Sequence, residues 1–312
     1  MLPWIIWVLI FIASMFVLIK SSDYFVRFSQ KLGESLGVSQ FVIGITIVAL
    51  GTSLPELITS LVATFKGQVS MVLDNVIGSN IANIFLVIGV GAIFARKLII
   101  KRDLIDVDIP LFLASQFLFI MFIWDGAITL FEGIISLLII TVYIFYATRH
   151  KEEIAVKIKK VKANKGLLFL GIGVSAFFIY IGAKFTVDSI VNLGTIFNIG
   201  TGVLSITALA IGTSLPELVV TVTAAMKKNF GMSLGNIFGS NIFNSALVVG
   251  IPSLFKTLTV SNVTLTVGLP FLIAATLLIS FSGISKKIHI WEGLMYILFY
   301  IVFIARLITI IF

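Results

Sequence analysis

Apolar segments of about the length that crosses a lipid bilayer recur ten times along the chain. A spanning helix needs ~20 apolar residues, and such runs stand near 2–20, 40–64, 71–95, 108–124 and 128–147, and again near 165–187, 201–225, 232–254, 262–281 and 290–310. Of the 312 residues, 59% are hydrophobic and 12% are charged, whereas soluble domains carry about 25% charged residues. We therefore predict an all-α membrane protein with ten transmembrane helices.

The basic residues lie between the apolar runs and indicate how the chain is oriented. The net charge is +8, but this placement is typical of the positive-inside rule and gives no sign of a nucleic-acid partner. All but four of the 22 Lys and Arg residues fall in loops that ten crossings place on one side. We expect a multi-pass protein of the cell membrane, in contact with lipid, with both termini outside and the hydrophilic linker 149–165 in the cytoplasm. The run from Leu2 to Ile19 is long enough to be the first helix.

Two motifs recur in each half of the chain, in the same order and at the same spacing. GTSLPE stands at 51–56 and at 212–217, and NVIGSNIAN at 75–83 returns as NIFGSNIFN at 236–244. Each half contains an odd number of predicted spans, so the second copy must start from the opposite side of the membrane. We predict two inverted five-helix repeats, 1–148 and 166–312, joined by the linker 149–165, as in many secondary transporters.

Glu56 and Glu217 are the two acidic residues predicted to lie deep within apolar spans. A charged side chain at that depth costs several kcal/mol unless it is paired, so it indicates a functional site. No Lys or Arg lies at a similar depth. We expect the two carboxylates to meet near the membrane midplane and to share a cation. The alternative is a protonated pair that hydrogen-bonds to neighbouring Ser, Thr or Asn.

The residues around each glutamate favour an all-oxygen cation site. Pro55 and Pro216 are expected to break their helices and to free backbone carbonyls, which in membranes commonly hold ions. Hydroxyl and amide oxygens stand nearby in both repeats, namely Thr52, Ser53, Thr213, Ser214, Ser79, Ser240, Asn83 and Asn244. Ca²⁺ takes six to eight oxygen ligands, and two carboxylates neutralise one such ion. The chain has no cysteine, and we expect no resident cofactor.

GTSLPE followed by GSN-x-x-N, present twice, resembles the alpha repeats of the sodium/calcium exchangers within the calcium/cation antiporter superfamily. The resemblance covers essentially the whole chain and includes prokaryotic members. It implies that Glu56 and Glu217, with the backbone carbonyls of Thr52 and Thr213, form the Ca²⁺ site. It also implies flanking Na⁺ sites, to which Ser53, Ser79, Ala49, Ser214, Ser240 and Ala210 contribute. Asn83 and Asn244 would line the centre between these sites.

Residue 244 bears on the coupling ion. Potassium-dependent members and some prokaryotic ones carry Asp at the position of Asn244, so the resemblance implies K⁺-independent exchange.

Asp74 stands about 13 Å from Asn83 along a helix, near the predicted outer face. There it is either an acid satisfied by the helix N-terminus or, less favoured, a residue that attracts cations.

The favoured function is electrogenic exchange of Na⁺ for Ca²⁺ by alternating access, in a protein that we expect to act as a monomer. One alternative keeps the fold but couples Ca²⁺ to protons, because either glutamate could titrate. A cation channel is a further alternative, but channels are usually symmetric oligomers around a pore, whereas inverted repeats within one chain favour alternating access. We do not expect an enzyme, since no His or Cys lies in a predicted span.

Overall fold

The computed structural model describes residues 3–99, 108–149, 163–197 and 214–311. The helices in these residues are α1 Pro3–Leu36, α2 Gln40–Phe65, α3 Val69–Ala95, α4 Asp108–Ile123, α5 Leu130–Arg149, α6 Lys165–Ile196, α7 Leu215–Met226, α8 Phe230–Ser253, α9 Thr264–Ile284 and α10 Ile290–Ile311. Eight of them are long and apolar enough to cross a membrane, and α4 and α7 are shorter apolar helices. The predicted helical membrane protein is confirmed at this level.

Helices α1 and α6 are longer than predicted. The sequence predicted ends near 20 and 187, whereas the helices continue to Leu36 and Ile196. Charged residues marked the predicted end of α1, but the structure shows that they are paired along the helix. Asp23 bonds Arg27 one turn later at 2.9 Å, as expected of an i,i+4 pair, and it also bonds Lys227 at 2.6 Å. Because these charges are satisfied, the helix does not have to stop where the apolar run does.

Four short strands tie the loops together in two groups. Strand β1, Lys97–Ile99, pairs antiparallel with β4, Lys287–His289, and β2, Ala127–Ile128, pairs antiparallel with β3, Leu258–Thr259. Each pair joins a loop of the first half to a loop of the second. In the ten-crossing prediction the loops of β1 and β4 are cytoplasmic and the loops of β2 and β3 are external. The structure therefore pairs loops that the sequence assigns to the same side of the membrane.

Helices α1 and α6 form an antiparallel pair that lies in the smaller of two apolar clusters. Leu18 contacts Gly182 so closely that a Cβ at residue 182 would lie 2.9 Å from the Leu18 Cβ, and Thr186 donates a hydrogen bond of 2.9 Å to Ser14. The pair shares a hydrophobic cluster with residues of α2 and α7, separate from the larger cluster around α3, α8 and α9. The α1–α6 pair is therefore a layer packed beside the central helices.

Helices α2 and α8 cross at very close range. A π-helical turn at Gly44–Val48 widens α2 at the crossing, and a Cβ on Gly235 would lie 2.4 Å from the Phe41 carbonyl oxygen. On Gly239 a Cβ would lie 2.6 Å from both Ala49 Cβ and the Ile45 carbonyl oxygen. Small residues let membrane helices approach in this way, and they bring the GSN segment of the second repeat against the first GTSLPE segment.

We expect Gly239→Ala to destabilise the protein and Gly173→Ala, at an exposed position of α6, not to do so. The added methyl group at 239 has to displace the backbone of α2, at a cost of about 1–3 kcal/mol, whereas a Cβ on Gly173 meets no atom within 4 Å among the described residues. At Gly173 the higher helix propensity of alanine should instead stabilise the helix slightly. Thermal unfolding of the detergent-purified variants measures both effects. Equal midpoints for the two would contradict the close crossing.

Candidate functional site

The two glutamates lie in the interior of the helix bundle, where the sequence predicted them. Glu56 and Glu217 are each 1% exposed and belong to α2 and α7. They interact electrostatically with each other, and the ion pairs found among the described residues involve Asp23 and do not include either glutamate. A carboxylate so deeply buried is stable only if a cation or a proton compensates its charge.

The hydrogen bonds of the two carboxylates differ. Ser53 donates a long hydrogen bond of 3.4 Å to Glu217 Oε1, which joins the two repeats. In the described part of the chain, both carboxylate oxygens of Glu56 and the second oxygen of Glu217 lack a hydrogen-bond partner. Among the described residues, the alternative of a pair satisfied by neighbouring Ser, Thr or Asn therefore finds a hydrogen bond at Glu217 and none at Glu56. Unpartnered buried oxygens of this kind are suited to cation binding.

The helix geometry around the glutamates corrects one prediction. Pro55 does not break its helix, because α2 continues through it to Phe65. The helix accommodates the proline since only the bond to the Gly51 carbonyl is lost at that point. In the second repeat, Pro216 stands in the first turn of α7, where a missing N–H costs little. The predicted part of that helix before Ser214 lies outside the described residues.

Hydroxyl groups of both repeats meet beside Glu217. Thr52 Oγ1 lies 3.2 Å from Asn236 Oδ1, to which it donates, and 3.4 Å from Ser240 Oγ. It also lies 3.3 Å from the carbonyl oxygen of Ala49. All of these groups are buried. The structure therefore brings together Thr52, Ser53, Ser240 and the Ala49 carbonyl next to a carboxylate.

Asn83 and Asn244 lie at matching irregularities of α3 and α8. A π-helical turn runs from Asn83 to Val87 in α3, and another runs from Phe243 to Val248 in α8. Such turns occur frequently at functional sites because they re-aim side chains within a helix. Both asparagines are buried, and in the described residues Asn83 has no partner for either amide atom.

Two of the remaining predicted site residues, Ser79 and Ser214, are buried in the helix bundle. Ser79 and Ser214 are buried at 3% and 1% exposure, and Ser214 Oγ has no hydrogen-bond partner in the described segments. Thr213 and Ala210 lie outside the described residues. Their proposed roles remain predictions from the motif.

A cavity of about 210 Å³ leads to Glu56 from one side of the bundle. Its walls come from α2, α6 and α7, and they include Thr59, Tyr180, Lys184 and Asp188 together with both motif prolines. In the predicted orientation, Thr59 and Lys184 lie on the outer side of Glu56. The cavity therefore approaches the glutamate from that face, but the carboxylate oxygens of Glu56 themselves are buried.

A second set of buried polar residues was not predicted. Asn80, Asn241 and Gln116 form hydrogen bonds beside Asn244, and Asn236 links Thr52 to Thr221. The signal for Gln116 was present, because it is a lone amide within the apolar run of α4 and such side chains commonly bond across membrane helices.

Asp74 has a structural partner. Its Oδ1 accepts hydrogen bonds from Ser261 Oγ at 2.9 Å and from the Ser261 backbone N–H at 3.3 Å. Ser261 in turn accepts from the Thr264 N–H at the start of α9. Asp74 therefore joins α3 to the loop before α9. The sequence had expected satisfaction by its own helix N-terminus, whereas the partner is a loop of the other repeat.

The chain is similar to known proteins along its full length. The family model of the sodium/calcium exchanger protein matches residues 6–149 and 167–309. The sodium/calcium exchanger MaX1 of Methanosarcina acetivorans is 32% identical over 96% of this chain and 97% of its own. The inner membrane protein YrbG of Escherichia coli is 30% identical over 78% of each chain. A solved structure of the sodium-calcium exchanger NCX_Mj, soaked with zero Na⁺ and Ca²⁺, superposes with a TM-score of 0.82 at 30% identity, over 97% of this chain and 99% of that one.

Proposed function

The chain belongs to the sodium/calcium exchanger family, and from this premise we propose that it exchanges Na⁺ for Ca²⁺ across the membrane by alternating access. As a family member it is a membrane cation exchanger and not an enzyme. The observation that carries the finer proposal is the pair of buried glutamates, one from each repeat, with three carboxylate oxygens that no other described group satisfies. Two negative charges at one buried place match one divalent cation.

The proposed ligands follow the family motif residue by residue. Ca²⁺ is held by Glu56 and Glu217 and by the backbone carbonyls of Thr52 and Thr213. Na⁺ occupies flanking sites formed by Ser53, Ser79, Ala49, Ser214, Ser240 and Ala210. Asn83 and Asn244 line the centre between these sites. The meeting of Thr52, Ser53 and Ser240 beside Glu217 supports this assignment, because shared hydroxyls allow the two cations to compete for one set of oxygens.

Alternating access is proposed to come from movement of the α1–α6 pair against the central helices. The pair contributes no residue to the larger cluster, so it can shift without repacking that cluster, and the contacts that change are those with α2 and α7 in the smaller one. The cavity between α2, α6 and α7, which is lined in part by Glu56, supports an approach of ions from the outer face. Shear of packed helices by small distances is a common form of such transitions.

The arrangement in the membrane completes the proposal. We propose ten crossings in two inverted repeats, 1–148 and 166–312, with the linker 149–165 cytoplasmic and both termini outside. The antiparallel α1–α6 pair supports the inverted arrangement, and so do the two strand pairs, since the repeat relates β1 to β3 and β2 to β4 and thus one pair to the other. The monomer is proposed to be sufficient, since both halves of the site come from one chain.

We expect Ca²⁺ uptake into proteoliposomes to require an outward Na⁺ gradient and to be unaffected when K⁺ is replaced by choline. The reason is that Asn244 offers a neutral oxygen where potassium-dependent relatives offer a carboxylate. Radioactive Ca²⁺ uptake into vesicles loaded with Na⁺ measures the first effect, and the choline replacement measures the second.

The same vesicles distinguish the alternative functions. A Ca²⁺/H⁺ antiporter would take up Ca²⁺ under a pH gradient with Na⁺ absent from both sides. A channel would admit Ca²⁺ down its own gradient with no counter-ion gradient. Either result would refute Na⁺ coupling, and vesicles without protein give the leak.

A further inference from the structure

The carbonyl oxygen of Asn241 is the acceptor for two side-chain amides from other helices. Asn80 Nδ2 on α3 donates to it at 3.3 Å, and Gln116 Nε2 on α4 donates to it at 3.4 Å. A backbone carbonyl can only accept hydrogen bonds, so both amides must present their nitrogens to it. Gln116 Nε2 also donates to Ser245 Oγ at 3.1 Å, and the Ser245 hydroxyl donates its proton to the same Asn241 carbonyl at 2.9 Å, so it accepts from Gln116. The carbonyl and this hydroxyl together fix which way both amides face.

The orientation passes from there to Asn244. With its nitrogen at the Asn241 carbonyl, Gln116 presents Oε1 to Asn80 Nδ2 at 3.4 Å. Asn80 then presents Oδ1 to Asn244, which donates its Nδ2 at 3.1 Å. An amide has its donor and its acceptor on opposite branches. The oxygen of Asn244 must consequently point the other way, and in the described part of the chain it is buried without a hydrogen-bond partner.

We propose that Asn80 and Gln116 are positioning residues that hold the amide of Asn244 with its oxygen toward the transported Ca²⁺. This rests on the proposed function, in which Asn244 lines the central site. The nitrogen end of an amide repels a cation and the oxygen end is a ligand for it. A flipped Asn244 would therefore oppose binding. The hydrogen bonds that run from the Asn241 carbonyl through Gln116 and Asn80 to Asn244, here called the relay, exclude that state before the ion arrives. None of the binding energy is then spent on turning the side chain.

The relay exists on one side of the pseudo-symmetry only. The counterparts of Asn80 and Gln116 in the second repeat are Asn241 and Thr276. Asn241 Nδ2 bonds to the Ile237 carbonyl of its own helix at 2.8 Å, and the shorter Thr276 side chain has no partner for its hydroxyl within the described ranges. Asn83 is accordingly not held as Asn244 is. Among the described residues, a side-chain hydrogen bond sets the orientation of Asn244 and none sets that of Asn83.

A double-mutant cycle on Ca²⁺ binding to the purified protein in detergent, without Na⁺, tests the relay. We expect Asn80→Leu, which is close in volume, to weaken binding about tenfold, and Gln116→Leu to weaken it by a smaller factor, since Asn80 keeps one anchor. In an Asn244→Ala background both substitutions should have no further effect, because the amide that they orient is gone.

A merely structural role would give additive losses in both backgrounds, and that result would overturn the proposal. Thr276→Val is the matched control, since it removes the hydroxyl at the equivalent buried position and should leave Ca²⁺ affinity unchanged. Thermal unfolding shows whether each variant is folded. If Asn80→Leu is not folded, Gln116→Leu still measures the coupling to Asn244. The test reads equilibrium binding, so a failure of Na⁺-driven uptake refutes the antiport proposal separately.

Discussion

Replacing either central glutamate by glutamine, in Glu56→Gln or Glu217→Gln, is expected to reduce Ca²⁺ transport at least a hundredfold. Each change removes one of the two charges that compensate the desolvation of a divalent ion in a buried site. A loss of about 3 kcal/mol is enough for a hundredfold effect, and an unpaired buried charge costs at least that much. Glutamine preserves the volume and the carbonyl oxygen, so the loss reports the charge.

Initial rates of Na⁺-driven Ca²⁺ uptake in proteoliposomes measure this effect. Asp74→Asn is the matched control, because it removes an acidic charge from the adjacent helix α3 but keeps an oxygen that can accept from Ser261. It should transport at close to the wild-type rate. Near wild-type exchange by either glutamine variant would show that the buried pair does not hold Ca²⁺.

The sequence predicted the helices and the motif residues because these depend on strong local signals. Apolar runs of bilayer length have one structural solution, and a repeated acidic residue at depth has few explanations other than function. The burial of Glu56 and Glu217 and the pairing of loops from the two halves agree with those predictions.

The features that escaped prediction depend on contacts between distant segments. Asp23, in the continuation of α1 beyond residue 20, pairs with Lys227, about 200 residues away in sequence. The bonds of Asn80 depend on the neighbouring backbone of α8 and on a glutamine from α4. The π-helical turns that contain Asn83 and Asn244 have no sequence pattern that the periodicity of apolar residues reveals. Tertiary packing decides these details, and local propensity does not.

Charge movement gives the other large expected effect. The central pair of carboxylates balances one Ca²⁺, whereas hydroxyls and carbonyls on both sides of it, such as those at Ser240 and Ala49, offer several smaller sites for Na⁺. If these sites fill together, the Na⁺-loaded protein carries more positive charge than the Ca²⁺-loaded one. Each net elementary charge moved across the membrane responds to potential by about 2.3 kcal/mol per 100 mV. A potential of that size should therefore shift the Ca²⁺ gradient at equilibrium by roughly fiftyfold.

A K⁺ diffusion potential set with valinomycin, negative inside, should accelerate the inward movement of Na⁺ that is coupled to Ca²⁺ exit. Reversing the K⁺ gradient should slow it. Ser79→Ala and Ser240→Ala should raise the Na⁺ concentration needed for half-maximal exchange more than they change Ca²⁺ affinity, because a lost hydroxyl removes a ligand from a small monovalent site but leaves both carboxylates. Ser136→Ala on α5, a buried serine bonded to the Glu132 carbonyl of its own helix, should change neither. Exchange that ignores the imposed voltage would mean two Na⁺ per Ca²⁺, and the flanking sites could then not fill together.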